Sequence, residues 1–274
     1  MEQRRIGRLT LFYEPSEQEA AGIVEDACRR SMHVIGETWG LEAPSNCSVY
    51  VMTSLLQFIV DSAPWSWRLL LAVTLPLWFF RARRLWPYVG GWMQRYGGHA
   101  AVGVKPPRLI QAADRSIGEL IYTREDDVAA KVGQITCHEL THAFMARLRL
   151  PSWLNEGLAQ LTVDRFAGRA TVRQDTLEVL GLQPAASRPS QAARINPADR
   201  AAIVRHYVRG YWIARLLAEI NPQSTRELLL ARRSRRELER RIAAILGTSP
   251  SALWSEVDRM VLSHFSQAAI RTPA

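Results

Sequence analysis

Residues 127–148 read Asp-Val-Ala-Ala-Lys-Val-Gly-Gln-Ile-Thr-Cys-His-Glu-Leu-Thr-His-Ala-Phe-Met-Ala-Arg-Leu, and their spacing decides how the rest of the chain is read. Val132, Ile135, Leu140, Ala143, Phe144 and Leu148 recur at helical intervals. Glu125, Asp126 and Asp127 suit a helix N-terminus, and Arg147 and Arg149 suit its last turn. Within this helix His138-Glu139-Leu140-Thr141-His142 places two imidazoles at i and i+4, one above the other on one face. Two such nitrogens suit one zinc ion. Glu139, one residue round, is placed to take a proton from water and pass it to a leaving amine. A catalytic zinc site also needs a third protein ligand and one open position.

Downstream stands Pro151-Ser152-Trp153-Leu154-Asn155-Glu156-Gly157-Leu158-Ala159. Arg149 to Pro151 reads as a turn and Ser152 as the cap of a second helix. Folding back, that helix presents Glu156, fourteen residues after His142, as the third ligand.

The pair of blocks, H-E-x-x-H followed by W-L-N-E-G-x-A, resembles the gluzincin clan of zinc peptidases, which holds thermolysin and the aminopeptidases related to leukotriene A4 hydrolase. The likeness covers roughly residues 98–217. It implies an α+β, thermolysin-like zincin fold: a small N-terminal mixed sheet, a mainly helical C-terminal half, and an active-site cleft between them. It implies hydrolysis of peptide bonds in a peptide or protein substrate. One Zn²⁺ per chain would be held by His138, His142 and Glu156, with Glu139 as general base. By the same resemblance Tyr207, three residues before Gly210, donates to the oxyanion; Tyr211 is the alternative donor and His206 a weaker one. Ile117 to Tyr122, read as a strand, would form the edge of the cleft and pair with an extended peptide, with Glu119 as a solvated edge charge. Two departures point to a small stand-alone domain. The second and third ligands are closer in sequence than in the aminopeptidases, and the glycine-methionine-glutamate-asparagine substrate strand has no clear counterpart. Gln160 and Asp164, one and two turns after Glu156, are candidates to orient the histidines. Cys137 reads as a small core residue and His99 as a surface one.

The chain has 274 residues, enough for one large or two small domains. Hydrophobic residues make up 47% and charged ones 22%, which excludes a disordered, collagen-like or polytopic membrane chain. Residues 8–13, 16–40 and 47–52 read as strand, helix and strand, a βαβ-sized unit. Strand-like residues 100–104 follow. Helical patterns cover 127–148, 152–166, 197–220, 224–246 and 249–265, with a Pro-, Ala- and Ser-rich loop at 184–197. The organisation expected is an N-terminal α/β subdomain, 1–125, and a helical subdomain, 126–274, carrying the zinc motif. Cys28, Cys47 and Cys137 form no C-x-x-C pair and read as free thiols of a reducing compartment. With no signal-peptide pattern at the N-terminus, the expected location is cytoplasmic.

Residues 62–97 differ in composition, holding five of the nine tryptophans. Leu69 to Phe80 carries no charge and is bracketed by Arg68 and by Arg81, Arg83 and Arg84. Its twelve residues reach about 18 Å, short of the ~30 Å hydrocarbon core, and Pro76 sits inside it. Two readings stand: a buried helical hairpin or lid, and an interfacial dip that attaches the protein peripherally to an anionic membrane surface. The net charge of +9 agrees with a phosphate-bearing surface. The Arg-rich stretch 231–241 is interleaved with glutamates and reads as a solvated helix. No recognition fold or stacking platform accompanies it, so nucleic acid is disfavoured. The rival to a zinc peptidase is a membrane-surface binding module with a peptidase-like fold and little or no catalysis.

Overall fold

Residues 1–113, 118–181 and 199–271 are described in the computed structural model of the chain. The elements run β1 (Glu2–Ile6), β2 (Leu9–Tyr13), α1 (Gln18–Trp39), β3 (Cys47–Val51), α2 (Leu55–Ser62), α3 (Trp65–Leu85), β4 (Gly91–Tyr96) and β5 (His99–Val104). Then follow α4 (Pro107–Ala113), α5 (Gly118–Ile121), α6 (Val128–Met145), α7 (Ser152–Ala167), α8 (Glu178–Gly181), α9 (Arg200–Ile220), α10 (Pro222–Glu227), α11 (Arg235–Ile245) and α12 (Leu253–Arg271). The fold is mixed α+β and mostly helical, with one five-stranded mixed sheet.

The strand order is β1-β2-β3-β5-β4. β2, β3 and β5 run parallel, and antiparallel β1 and β4 close the two edges. The βαβ unit expected from the sequence is present: β2 feeds α1, which ends on Gly40 in the left-handed region (φ +68°) and returns the chain to β3. A residue without a Cβ is favoured at such a cap. Alternate residues of the central strands point to opposite faces. Val49, Val51, Val102 and Val104 join the large core beneath α1 and α6. Tyr50, Met52 and Ala101 join a second cluster under α2, with Phe58, Ile59 and, partly buried, Leu71. With both faces covered, all of β3 is buried. The large core runs without interruption from Ile6 to Phe265, so residues on both sides of position 125 share it.

α6 begins on Asp127, whose carboxylate accepts from the Ala129 and Ala130 N–H groups, the cap its position suggested. Two sequence readings are corrected. The strand expected at 117–122 does not form: residues 118–121 make a helical turn, with the Tyr122 N–H donating to the Gly118 carbonyl, and only Tyr122 bridges to Val172; Ile117 lies outside the described residues. The sheet edge that contacts α6 is β4 instead, hidden in the sequence because Gly91 to Tyr96 lacks the alternation of a half-buried strand. The helix expected at 224–246 is two helices, α10 and α11, because Ser234 caps a fresh start by accepting from the Glu237 N–H. The loop expected at 184–197 lies outside the described residues. α11 carries its arginines on i,i+3 and i,i+4 pairs: Arg235 with Glu239, and Arg240 and Arg241 with Glu237.

One buried cation joins the Trp-rich segment to the sheet. Lys105, just past β5, is 2% exposed, donates to the Trp86 carbonyl and lies 4.0 Å from the centre of the Trp86 ring. Burial lowers its pKa from 10.5 to about 8. The unfolded chain therefore holds this proton up to pH 10.5 while the folded chain releases it from about pH 8, so folding gains as pH rises between them. Wild-type stability relative to Lys105→Met should be flat below pH 8. It should then rise by about 3 kcal/mol toward pH 10.5, as read by urea unfolding at each pH. Parallel curves for the two proteins would contradict this.

Candidate metal centre

α6 and α7 bring His138, His142 and Glu156 together. The two Nε2 atoms are 3.0 Å apart and the rings meet edge to face at 4.6 Å. Glu156 Oε2 lies 3.3 Å from His138 Nε2 and 3.5 Å from His142 Nε2. Among the described residues this is the group whose donor atoms converge closely enough to share an ion. Bonds of about 2.05 Å at tetrahedral angles put neighbouring donors roughly 3.3 Å apart, so the triangle has the size zinc requires. The donor chemistry fits too: two imidazoles and one carboxylate is the ligand set of thermolysin-type zinc sites. Glu156 Oε2 is buried and has no hydrogen-bond donor, an expensive position for a carboxylate oxygen unless a cation faces it.

The charges of the site are strongly coupled. Burial acts to raise the Glu156 carboxyl, but His142 and His138 overcome it and hold it well below the usual carboxylate range. Burial acts to lower His142; the Glu156 carboxylate, Glu139 and the Asn155 amide together push it up to about 9. Glu139 shifts the other way, raised chiefly by burial and also by Glu156, against the pull of His138, His142 and the Met93 N–H.

Glu139 is positioned by the sheet edge. The Lys105 N–H donates to the Gly90 carbonyl, which fixes the β4–β5 alternation and turns the Met93 N–H outward, where it serves the Glu139 carboxylate. α6 lies so close to β4 that a Cβ on Gly91 would stand 2.6 Å from Glu139 Cγ and 2.8 Å from Ile135 Cγ2.

Glu156 is positioned by a backbone crossing. A Cβ on Gly157 would lie 2.1 Å from the Gly210 carbonyl oxygen, and one on Gly210 would lie 2.3 Å from the Trp153 carbonyl oxygen. α7 and α9 touch main chain to main chain there, which carries Tyr207 to the site. The Glu156 carboxylate is the strongest influence on the Tyr207 hydroxyl and raises its pKa well above 10, aided by burial, Tyr122 and Glu139. His206, 6% exposed, keeps its Nε2 without a partner; burial lowers its pKa while Glu156 raises it. Tyr211 is turned away and donates to Asp164 at 2.7 Å.

Gln160 and Asp164 do not touch the histidines in the hydrogen bonds they make. Gln160 donates to the Thr171 hydroxyl; Asp164 accepts from that hydroxyl and from the Thr171 N–H. They anchor residues 171–173, to which 121–123 pair through Thr123 N–H to the Thr171 carbonyl and Arg173 N–H to the Ile121 carbonyl. That pairing places Tyr122, which the sequence reading missed. Its phenol is raised by burial and then by Glu156 and Glu139, so it lies within electrostatic reach of both carboxylates. No local pattern marks it, since its position depends on a contact 50 residues away. Cys137 lies in the core with Val163 and Phe166, its thiol pushed up to about 12 by burial. His99 pairs with Asn46 on the first residue of β5. Glu119 is exposed.

No protein-family model matches the chain, and no curated protein sequence matches it. The functional reading therefore rests on the site.

Two glycine substitutions test this geometry. Gly157→Ala must push the α7 and α9 backbones apart and should cost about 3 kcal/mol or more in urea unfolding. Gly91→Ala meets side chains that can shift, so it should cost only about 1–3 kcal/mol while moving Glu139. Equal, negligible costs would mean that neither close approach exists.

Proposed function

We propose that the chain is a zinc-dependent peptidase of gluzincin type, hydrolysing peptide bonds on a thermolysin-like zincin fold. The observation that carries this reading is the His138–His142–Glu156 triangle, with donor separations of 3.0, 3.3 and 3.5 Å and Glu139 beside it. The mixed sheet with an antiparallel edge strand next to α6 supports the fold assignment.

In this reading His138, His142 and Glu156 hold one Zn²⁺ per chain. The ion supplies Lewis acidity toward a water and a substrate carbonyl. Glu139, beside the ligands at the next helix position, accepts the proton released from that water and returns it to the leaving amine. The Tyr207 hydroxyl, fully protonated near neutral pH, donates to the oxygen on which negative charge develops. The outward N–H and C=O groups of β4 at Gly91 and Arg95, with the Met93 carbonyl, offer an extended peptide a strand to pair with. A membrane-surface module with little catalysis is the second reading, favoured by the exposed apolar residues of α3.

Purified protein should carry about one zinc per chain by plasma mass spectrometry, and Glu156→Ala should lose it. Glu139→Gln should keep the metal and lower cleavage of a labelled casein by at least about a hundredfold. Tyr207→Phe should retain the metal and lower kcat by about ten- to a thousandfold. A Glu139→Gln variant that cleaves as fast as wild type would overturn the mechanism. A zinc-loaded wild type that cleaves nothing would favour the second reading.

A further inference from the structure

Seven of the twelve exposed large apolar residues among the described residues lie on α3. Trp65 is 78% exposed, Val73 80%, and Leu69 and Phe80 67% each, with Leu70 and Phe79 also exposed. At 3.6 residues per turn these six fall on one half of the helix circumference. On the other half, Leu71 packs on the cluster around Tyr50 and Phe58, and the Trp67 ring meets Tyr96 edge-on at 5.8 Å. Arg68 is fixed at the helix start by donating to the Ala63 and Asp61 carbonyls. A contiguous apolar face of this kind on a folded surface marks a docking site.

The charge around it identifies the occupant. From residue 62 to residue 113 the chain has no Asp or Glu, and α3 itself carries Arg68, Arg81, Arg83 and Arg84. Two copies meeting through α3 would bring like charges together, so self-association is opposed. An anionic bilayer offers hydrocarbon to the apolar half and phosphate to the arginines. Among the described residues no helix is long and apolar enough to cross a membrane, which leaves α3 lying in the plane of the interface. We propose that α3 docks this protein on an anionic lipid surface through its Trp65–Leu69–Val73–Phe80 face. A single turn, Trp86 to Tyr88, separates α3 from β4, and Lys105 fastens that turn to β5. Docking would therefore hold the edge strand beside Glu139 close to the lipid. This inference does not depend on zinc or on catalysis.

Co-sedimentation with phosphatidylcholine vesicles, with and without phosphatidylserine, tests it on the full chain. Wild type should bind the anionic vesicles, bind the neutral ones far less, and weaken in raised salt. The double substitution Val73→Glu, Phe80→Glu alters exposed positions and should preserve the circular dichroism spectrum. It should lower vesicle binding about tenfold and remove the quenching of tryptophan emission by brominated lipid. Wild type that binds neither vesicle, or both equally, would overturn the proposal, as would a double variant that binds like wild type. A dimer in sedimentation velocity that Val73→Glu, Phe80→Glu abolishes, without vesicle binding, would assign the face to a second copy and also overturn it.

Discussion

Three lone-pair-bearing atoms face one another across 3.0 to 3.5 Å where α6 meets α7. Such an arrangement needs a positive charge among them, a metal ion or a proton on an imidazole, and the buried carboxylate oxygen sharpens the demand. The surrounding structure is organised to keep these atoms converged. Helical spacing stacks the two imidazoles, and a left-handed residue, Arg149 (φ 53°), turns the chain between the helices so that α7 runs back along α6.

Glycines set the tolerances. Gly157 and Gly210 let α7 and α9 meet backbone to backbone, placing Glu156 and Tyr207 within electrostatic reach of each other. Gly91 lets α6 lie on β4, so that one carboxylate, Glu139, has its pKa set by burial, two histidines and a strand N–H at once. The same strand follows the apolar helix α3, so any force that orients α3 also orients the edge of the site.

The local features of this design were legible in the sequence. The i,i+4 histidines, the acidic start of α6 at residues 125–127, the Glu156 spacing and the βαβ unit follow from periodicity and helix-end chemistry, which neighbouring residues determine. The resemblance to gluzincins added Tyr207, whose hydroxyl lies within electrostatic reach of Glu156. Long-range pairing was not legible. β4 carries no alternation, because one side of the strand lies under α6 and the other under the Trp-rich segment. Residues 118–121 hold the apolar content of a strand yet coil into a helical turn, and the 122–172 bridge that fixes Tyr122 joins distant residues. Gln160 and Asp164 sit at the helical spacing expected of groups that orient the histidines, but Thr171 takes them both.

The central claim is that His138, His142 and Glu156 jointly bind one zinc ion. X-ray absorption at the zinc edge of the purified, zinc-loaded protein tests it most directly. The account predicts nearest neighbours of nitrogen and oxygen at about 2.0–2.1 Å, with more distant scattering from two imidazoles, both lost in His138→Ala, His142→Ala. Sulfur neighbours at about 2.3 Å, or a spectrum unchanged by removing the two histidines, would contradict it.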